Sequence, residues 1–186
     1  MASKPLLIAT GNRHKVVELR DLLEGMPWDV QSLGDFPAVE EPVEDGDSFE
    51  ANAILKARYY AEAFSVCCVA DDSGLVVDAL NGAPGVYSAR YAGQNCTYAD
   101  NNAKLLKALK DVPQDKRTAR FVCCAATIVP GKEPHIEVGA VEGHIAMACA
   151  GQEGFGYDPL VIPDGYTTTF AEMALEEKQK MSNRGR

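Results

Sequence analysis

Histidine, tryptophan and net positive charge are scarce in this chain of 186 residues. There are three histidines, and the six cysteines fall at Cys67-Cys68, Cys96, Cys123-Cys124 and Cys149, with no C-x-x-C pair. That distribution excludes the usual zinc spacings and a disulfide framework, so buried reduced thiols are expected. Lysine and arginine number 18 against 27 acids, for a net charge of −9. A basic face for polymeric nucleic acid is excluded, whereas a small anionic ligand can be received by local cations, a metal ion or a helix N-terminus. No run approaches the roughly 20 apolar residues of a membrane span, so no membrane partner is expected. Met1 to Lys4 is too short and too weakly patterned for a secretory n-region, which makes the cytoplasm the expected location. Internal repeats, low-complexity tracts and linkers are also lacking. One domain over residues 1–186 is expected, long enough to bury a sizeable core.

What is present alternates between two periods. Leu6 to Thr10 reads as a strand, followed by a helix over roughly Lys15 to Glu24 with Val16, Leu19, Leu22 and Leu23 on one stripe. The acidic, proline-bearing stretch Gly34 to Asp47 reads as loop. Asp47 as N-cap with Glu50 three residues on predicts a second helix to about residue 64. Val66 to Ala70 is a short apolar run closed by Asp71-Asp72-Ser73-Gly74, read as a strand ending in an acidic turn, with Leu75 to Leu80 a further strand. Residues 81–95 are irregular, and Thr97 with Asp100 caps a helix to about Lys110. Arg117 to Val129 and His135 to Val141 predict a hairpin, 151–159 a glycine-rich loop, and Thr169 with Glu172 a last helix toward Met181. The fold class implied is α/β with a mixed β-sheet.

Five segments carry residue types suited to chemistry. Acids at a strand exit pack poorly, and successive strand residues face opposite ways, so one of Asp71 and Asp72 enters a site while the other supports it. A solvated acidic turn is the alternative. The turn Thr10-Gly11-Asn12-Arg13-His14-Lys15 offers unpaired helix N-terminal amides, a glycine and two cations to an anion, although it is neither dinucleotide nor P-loop fingerprint. One of the acids Glu40, Glu41, Glu44, Asp45, Asp47 and Glu50, with one from Asp71-Asp72, would suit Mg²⁺. Asn52 and Lys56, four apart, share a helix face from which the lysine can reach a phosphate. Gly154-Phe155-Gly156-Tyr157-Asp158 sets two aromatics among glycines, and an exposed ring there would stack on a base.

In order along the chain, these segments resemble the inosine/xanthosine triphosphate pyrophosphatase family. The matching stretches are Ala9-Thr10-Gly11-Asn12 with Lys15, Phe49 to Ala57, Ala70 to Leu75, Gly82 to Gly93, Gly154 to Pro159, and Glu177-Lys178 through Ser182, Arg184 and Gly185. The resemblance implies hydrolysis of ITP, dITP and XTP to the nucleoside monophosphate and pyrophosphate with Mg²⁺. It also implies a homodimer of an elongated mixed α/β protein, with two lobes around a substrate cleft. By the family pattern, Asp72 falls on the proton acceptor and metal contact and Glu44 on a further metal contact, with Asp71 as support or a second metal contact. Substrate contacts fall on Thr10, Gly11, Asn12, Arg13, His14, Lys15, Asn52, Lys56 and Ser73, on the base loop Phe155, Gly156, Tyr157 and Asp158, and on Lys178, Asn183 and Arg184. The family's S-H-R motif is Ser182-Asn183-Arg184 here, so an amide that never carries charge replaces a histidine. Two other functions stay open at this level. One is an aspartyl-nucleophile phosphatase with Asp71 attacking phosphorus; the other is a nucleotide sensor without turnover.

Overall fold

The computed structural model describes residues 4–174 and 176–178. Along the chain come β1 (Lys4–Ile8), α1 (Arg13–Leu22), β2 (Trp28–Ser32), α2 (Phe49–Phe64), β3 (Cys67–Val77), α3 (Tyr98–Ala108), β4 (Thr118–Ile128), β5 (His135–Ile145) and β6 (Val161–Pro163). The strands form one sheet in the order β2-β1-β3-β4-β5-β6. β1 runs parallel to both β2 and β3, with Leu6 opposite Val30 and Cys67, whereas β5 and β6 are antiparallel. Parallel neighbours need a long crossover, and helices α1 and α2 lie in those connections. The fold is therefore α/β with a mixed sheet.

Two compact units divide the chain: Met1–Asp72 with Cys123–Val138, and Ser73–Val122 with Gly139–Arg186. Each has its own core. In the first, Ala53, Ala57, Tyr60 and Ala61 form the buried stripe of α2 and pack with Leu7 of β1 and the following Ala9, Cys68 and Ala70 of β3, and Cys124, Ala126 and Ile128 of β4. In the second, Leu105 and Leu109 of α3 pack with Leu75, Val77, Val141, Ile145, Leu160, Val161 and Phe170.

Several sequence expectations need correction. No turn interrupts Asp71-Asp72-Ser73-Gly74, because β3 is a single strand from Cys67 to Val77. With β1 and β4 as neighbours in the sheet, pairing overrides the turn preference of Ser-Gly. The N-cap of α2 is Ser48, whose Oγ accepts from Ala51 N–H at 3.1 Å, and not Asp47. Helix α1 starts at Arg13, two residues early, because Asn12 Oδ1 accepts from the backbone N–H of His14 and Lys15. Thr169 and Glu172 do form a capping box, but it opens only the 3₁₀ turn Phe170–Glu172, and Met173 is extended at ψ 150°. The short strands β2 and β6 were not expected. β2 and β6 have 5 and 3 residues, too few to show a period.

Arg117 ties the second unit together. It is 2% exposed, and its guanidinium donates to the carbonyls of Leu109, Val112 and Ala146 at 2.7, 2.9 and 3.2 Å. Leu109 caps α3, so the buried cation sits at the negative end of that helix. Arg117→Met should keep the aliphatic volume but orphan three carbonyls, lowering the unfolding free energy in urea by about 3 kcal/mol.

Candidate active site

Because β3 alternates, Asp71 and Asp72 leave it on opposite faces. Asp72 shares the face of Cys68 and Ala70, which pack with α2. From α2, Asn52 Nδ2 donates to Asp72 Oδ2 at 3.0 Å, while Asn52 Oδ1 accepts from Gly46 N–H at 2.8 Å. A Cβ at residue 46 would stand 2.6 Å from that oxygen, so the acidic loop crosses Asn52 because position 46 is glycine. One turn further along α2, Lys56 Nζ donates to the Asp71 carbonyl at 3.2 Å and pairs with Glu44 Oε2 at 3.0 Å. Burial pushes the Asp72 carboxyl above its ordinary value, and the charge of Glu44 adds to the rise. The Asn52 hydrogen bond and the charges of Lys56 and Lys15 pull it back in part.

Asp71 is only 1% exposed. Its Oδ2 lies 2.8 Å from Lys15 Nζ and accepts from the Cys123 thiol at 3.7 Å. This placement corrects two expectations. A carboxylate with so little exposure has no path to attack phosphorus, and one that neutralises Lys15 from the opposite face is not a partner for a metal at Asp72. Asp71 is the supporting acid, holding Lys15. Nothing in the sequence marked Cys123 or Gly46 as neighbours of this site, because strand register and loop path decide both.

The turn into α1 is a helix start capped by a side chain. Thr10 Oγ1 accepts from Asn12 N–H at 3.2 Å, and Asn12 in turn caps the helix. Gly11, Arg13 and His14 are exposed, with Asn12 and Lys15 half-buried. A Cβ at Gly11 would meet only Glu41 Oε1, at 3.8 Å, so the protein's own packing does not require glycine there.

The second unit holds the glycine-rich loop. Buried Asp158 accepts from Phe155 N–H at 2.8 Å and from Lys178 Nζ at 2.7 Å, and Lys178 Nζ stands 4.9 Å from the centre of the Phe155 ring. Gly154, at φ +78°, leaves room for this pair, since a Cβ would lie 2.0 Å from Asp158 Oδ2. Phe155 is half-buried, with the Tyr98 ring 6.4 Å away between centroids. Tyr157 is a correction. Its ring belongs to the second core and its hydroxyl donates to the Ser88 carbonyl at 2.8 Å, so it offers no stacking face. Burial raises its phenol well above the ordinary value. Ser73 follows Asp72 on β3 and is half-buried. Asn183 and Arg184 lie outside the described residues.

Whether Mg²⁺ fits can be judged from the donors. Glu44 and Asp72 are both carboxylates, close enough that one raises the other's proton affinity, which a cation would relieve. Among the described residues no group of three His, Cys, Asp or Glu side chains encloses a metal. Mg²⁺ needs no such cage, since it keeps waters and takes substrate phosphates as ligands. The donor set fits.

Residues 6–186 match the model of the Ham1 family. The chain is 50% identical over 181 residues to a dITP/XTP pyrophosphatase of Desulforamulus reducens, covering 97% of this chain and 90% of that protein. It is 46% identical over 181 residues to the protein of the same name from Bacillus subtilis, covering 97% and 91%. Among solved structures, a HAM1 protein from Coxiella burnetii superposes with a TM-score of 0.90 at 38% identity, covering 98% of this chain and 93% of that one.

The raised Asp72 carboxyl has a consequence for stability. The folded protein holds this proton more tightly than the unfolded chain, so the associated stability is full below the ordinary value of 3.8 and is lost as pH rises through the raised value. At neutral pH the ionised group therefore opposes folding. Asp72→Asn should keep or raise the melting temperature of metal-free protein at pH 7, read by calorimetry; a lower one would contradict the burial argument.

Proposed function

The chain belongs to the Ham1 family, and from that premise we propose that it hydrolyses dITP, ITP and XTP between the α- and β-phosphates, releasing nucleoside monophosphate and pyrophosphate with Mg²⁺. The observation that carries this reading is Asp72, a carboxylate oriented by the Asn52 amide, with Lys56 and Glu44 as neighbours. Relatives half identical over nearly the whole chain are named for this activity.

Each side chain then has a task. Asp72 accepts the proton of the attacking water as the oxygen bonds to phosphorus and the α–β anhydride bond breaks, and pyrophosphate leaves. Asn52 fixes the carboxylate's orientation, which a general base needs. Lys15, held by Asp71, and Lys56 place positive charge for the phosphates, and the positive end of the α1 dipole, where Gly11 leaves the backbone bare, favours phosphate oxygens. Glu44 and Asp72 would hold Mg²⁺, which would neutralise phosphate charge when bound. In the second unit Phe155 gives the base a stacking face, while Asp158 and Lys178 offer an acceptor and a donor at its edge. The family resemblance adds Asn183 and Arg184 as proposed substrate contacts. The same reading makes the protein a homodimeric enzyme of the cytoplasmic nucleotide pool.

A pyrophosphate-release assay on ITP, XTP, ATP and GTP, with Mg²⁺ and with chelator, tests it. We expect Mg²⁺-dependent release selective for ITP and XTP, and a kcat lowered about 10²-fold or more in Asp72→Asn. Equal turnover of ATP, or an active Asp72→Asn enzyme, would sink the reading.

A further inference from the structure

Two adjacent asparagines near the start of α3 differ in how they are satisfied. Asn101, 2% exposed, accepts from Ala92 N–H and the Cys96 thiol and donates to the Ala89 carbonyl, so both ends of its amide are used. Asn102, 6% exposed, donates through Nδ2 to the Gly156 carbonyl at 3.0 Å. Its Oδ1 is buried with no hydrogen-bond partner among the described residues.

A residue kept for packing alone would not carry that penalty. A leucine there, like Leu105 one turn on, would fill similar space without burying an unpaired carbonyl oxygen. The one return visible for the amide is the bond to Gly156. That carbonyl belongs to the peptide between Gly156, a glycine at φ +63°, and Tyr157, which the core holds, so the Asn102 bond fixes the plane at its glycine side, next to Phe155. The same face of α3 reaches the preceding residue too. Tyr98 and Asn102 are four apart, and the Tyr98 ring lies 6.4 Å from that of Phe155. One helix face thus touches both halves of the Phe155-Gly156 pair.

We propose that Asn102 is a positioning residue for base recognition: its amide orients the Gly156 peptide and thereby the Phe155 ring on which the purine stacks. The inference rests on the activity proposed above. Phosphate binding uses other residues, so the effect of losing Asn102 is confined to the base.

Steady-state kinetics on Asn102→Leu and Asn102→Gln test this, with ITP and ATP as substrates and pyrophosphate as inhibitor. Asn102→Leu should raise KM for ITP about tenfold, the scale of one hydrogen bond, with kcat changed less than twofold. The preference for ITP over ATP should fall by a similar factor, while inhibition by pyrophosphate stays within twofold. Asn102→Gln, which keeps the donor on a longer arm, should recover part of the loss. Unchanged KM and preference, equal weakening of pyrophosphate and ITP, or identical Leu and Gln variants would each overturn the proposal. Absence of ITP turnover in the wild-type chain would instead overturn the activity on which it rests.

Discussion

Two adjacent carboxylates in the middle of a strand must be compensated on both of its faces, and the arrangement of the first unit follows from that demand on β3. Ionised acids are costly to bury unless paired or hydrogen-bonded. On one face the compensation for Asp71 is Lys15 with the Cys123 thiol; on the other, Asp72 receives Asn52 and feels Lys56. Each partner is then constrained in its turn. Lys15 is placed by the Asn12 cap that starts α1, and Asn52 by the backbone of Gly46. Helix start, acidic loop and α2 face are thus positioned against two side chains of one strand.

The compensation of Asp72 is incomplete. Were Asn52 and the two lysines to outweigh burial, the carboxylate would be a weaker base than one in water. Desolvation instead remains the largest influence, so its proton affinity stands above the ordinary value. Asp71 differs because a cation stands 2.8 Å away, which makes it a counter-charge. The two acids share chemistry and neighbourhood, yet the alternation of the strand gives them different work.

In the second unit the loop around Phe155 is held by several unlike bonds. Asp158 grips the Phe155 amide and Lys178, Asn102 holds the Gly156 carbonyl, and Tyr157 reaches Ser88 from the core. Glycine at 154 permits the approach of Asp158. In the base-binding role proposed for it, a loop with this many anchors would present its aromatic ring at low entropic cost. Arg117 secures the helix behind it by facing the carbonyls at the end of α3.

Much of this was legible in local pattern. Thr97 with Asp100 announced α3, the stripe from Ala53 to Ala61 announced the buried face of α2, and β-rich runs announced β4 and β5, because capping and periodicity are properties of a few neighbouring residues. Strand period also meant that the two acids would part if strand geometry reached them, against the alternative of a solvated acidic turn, and helix period put Asn52 and Lys56 on one face. Only the tertiary structure decided that Ser73-Gly74 continues a strand, that Tyr157 belongs to the core, that Asp71 serves Lys15, and that Gly46, Cys123 and Asn102 matter. Those outcomes depend on sheet pairing, register and burial between residues far apart in the chain, which no local window of the sequence contains.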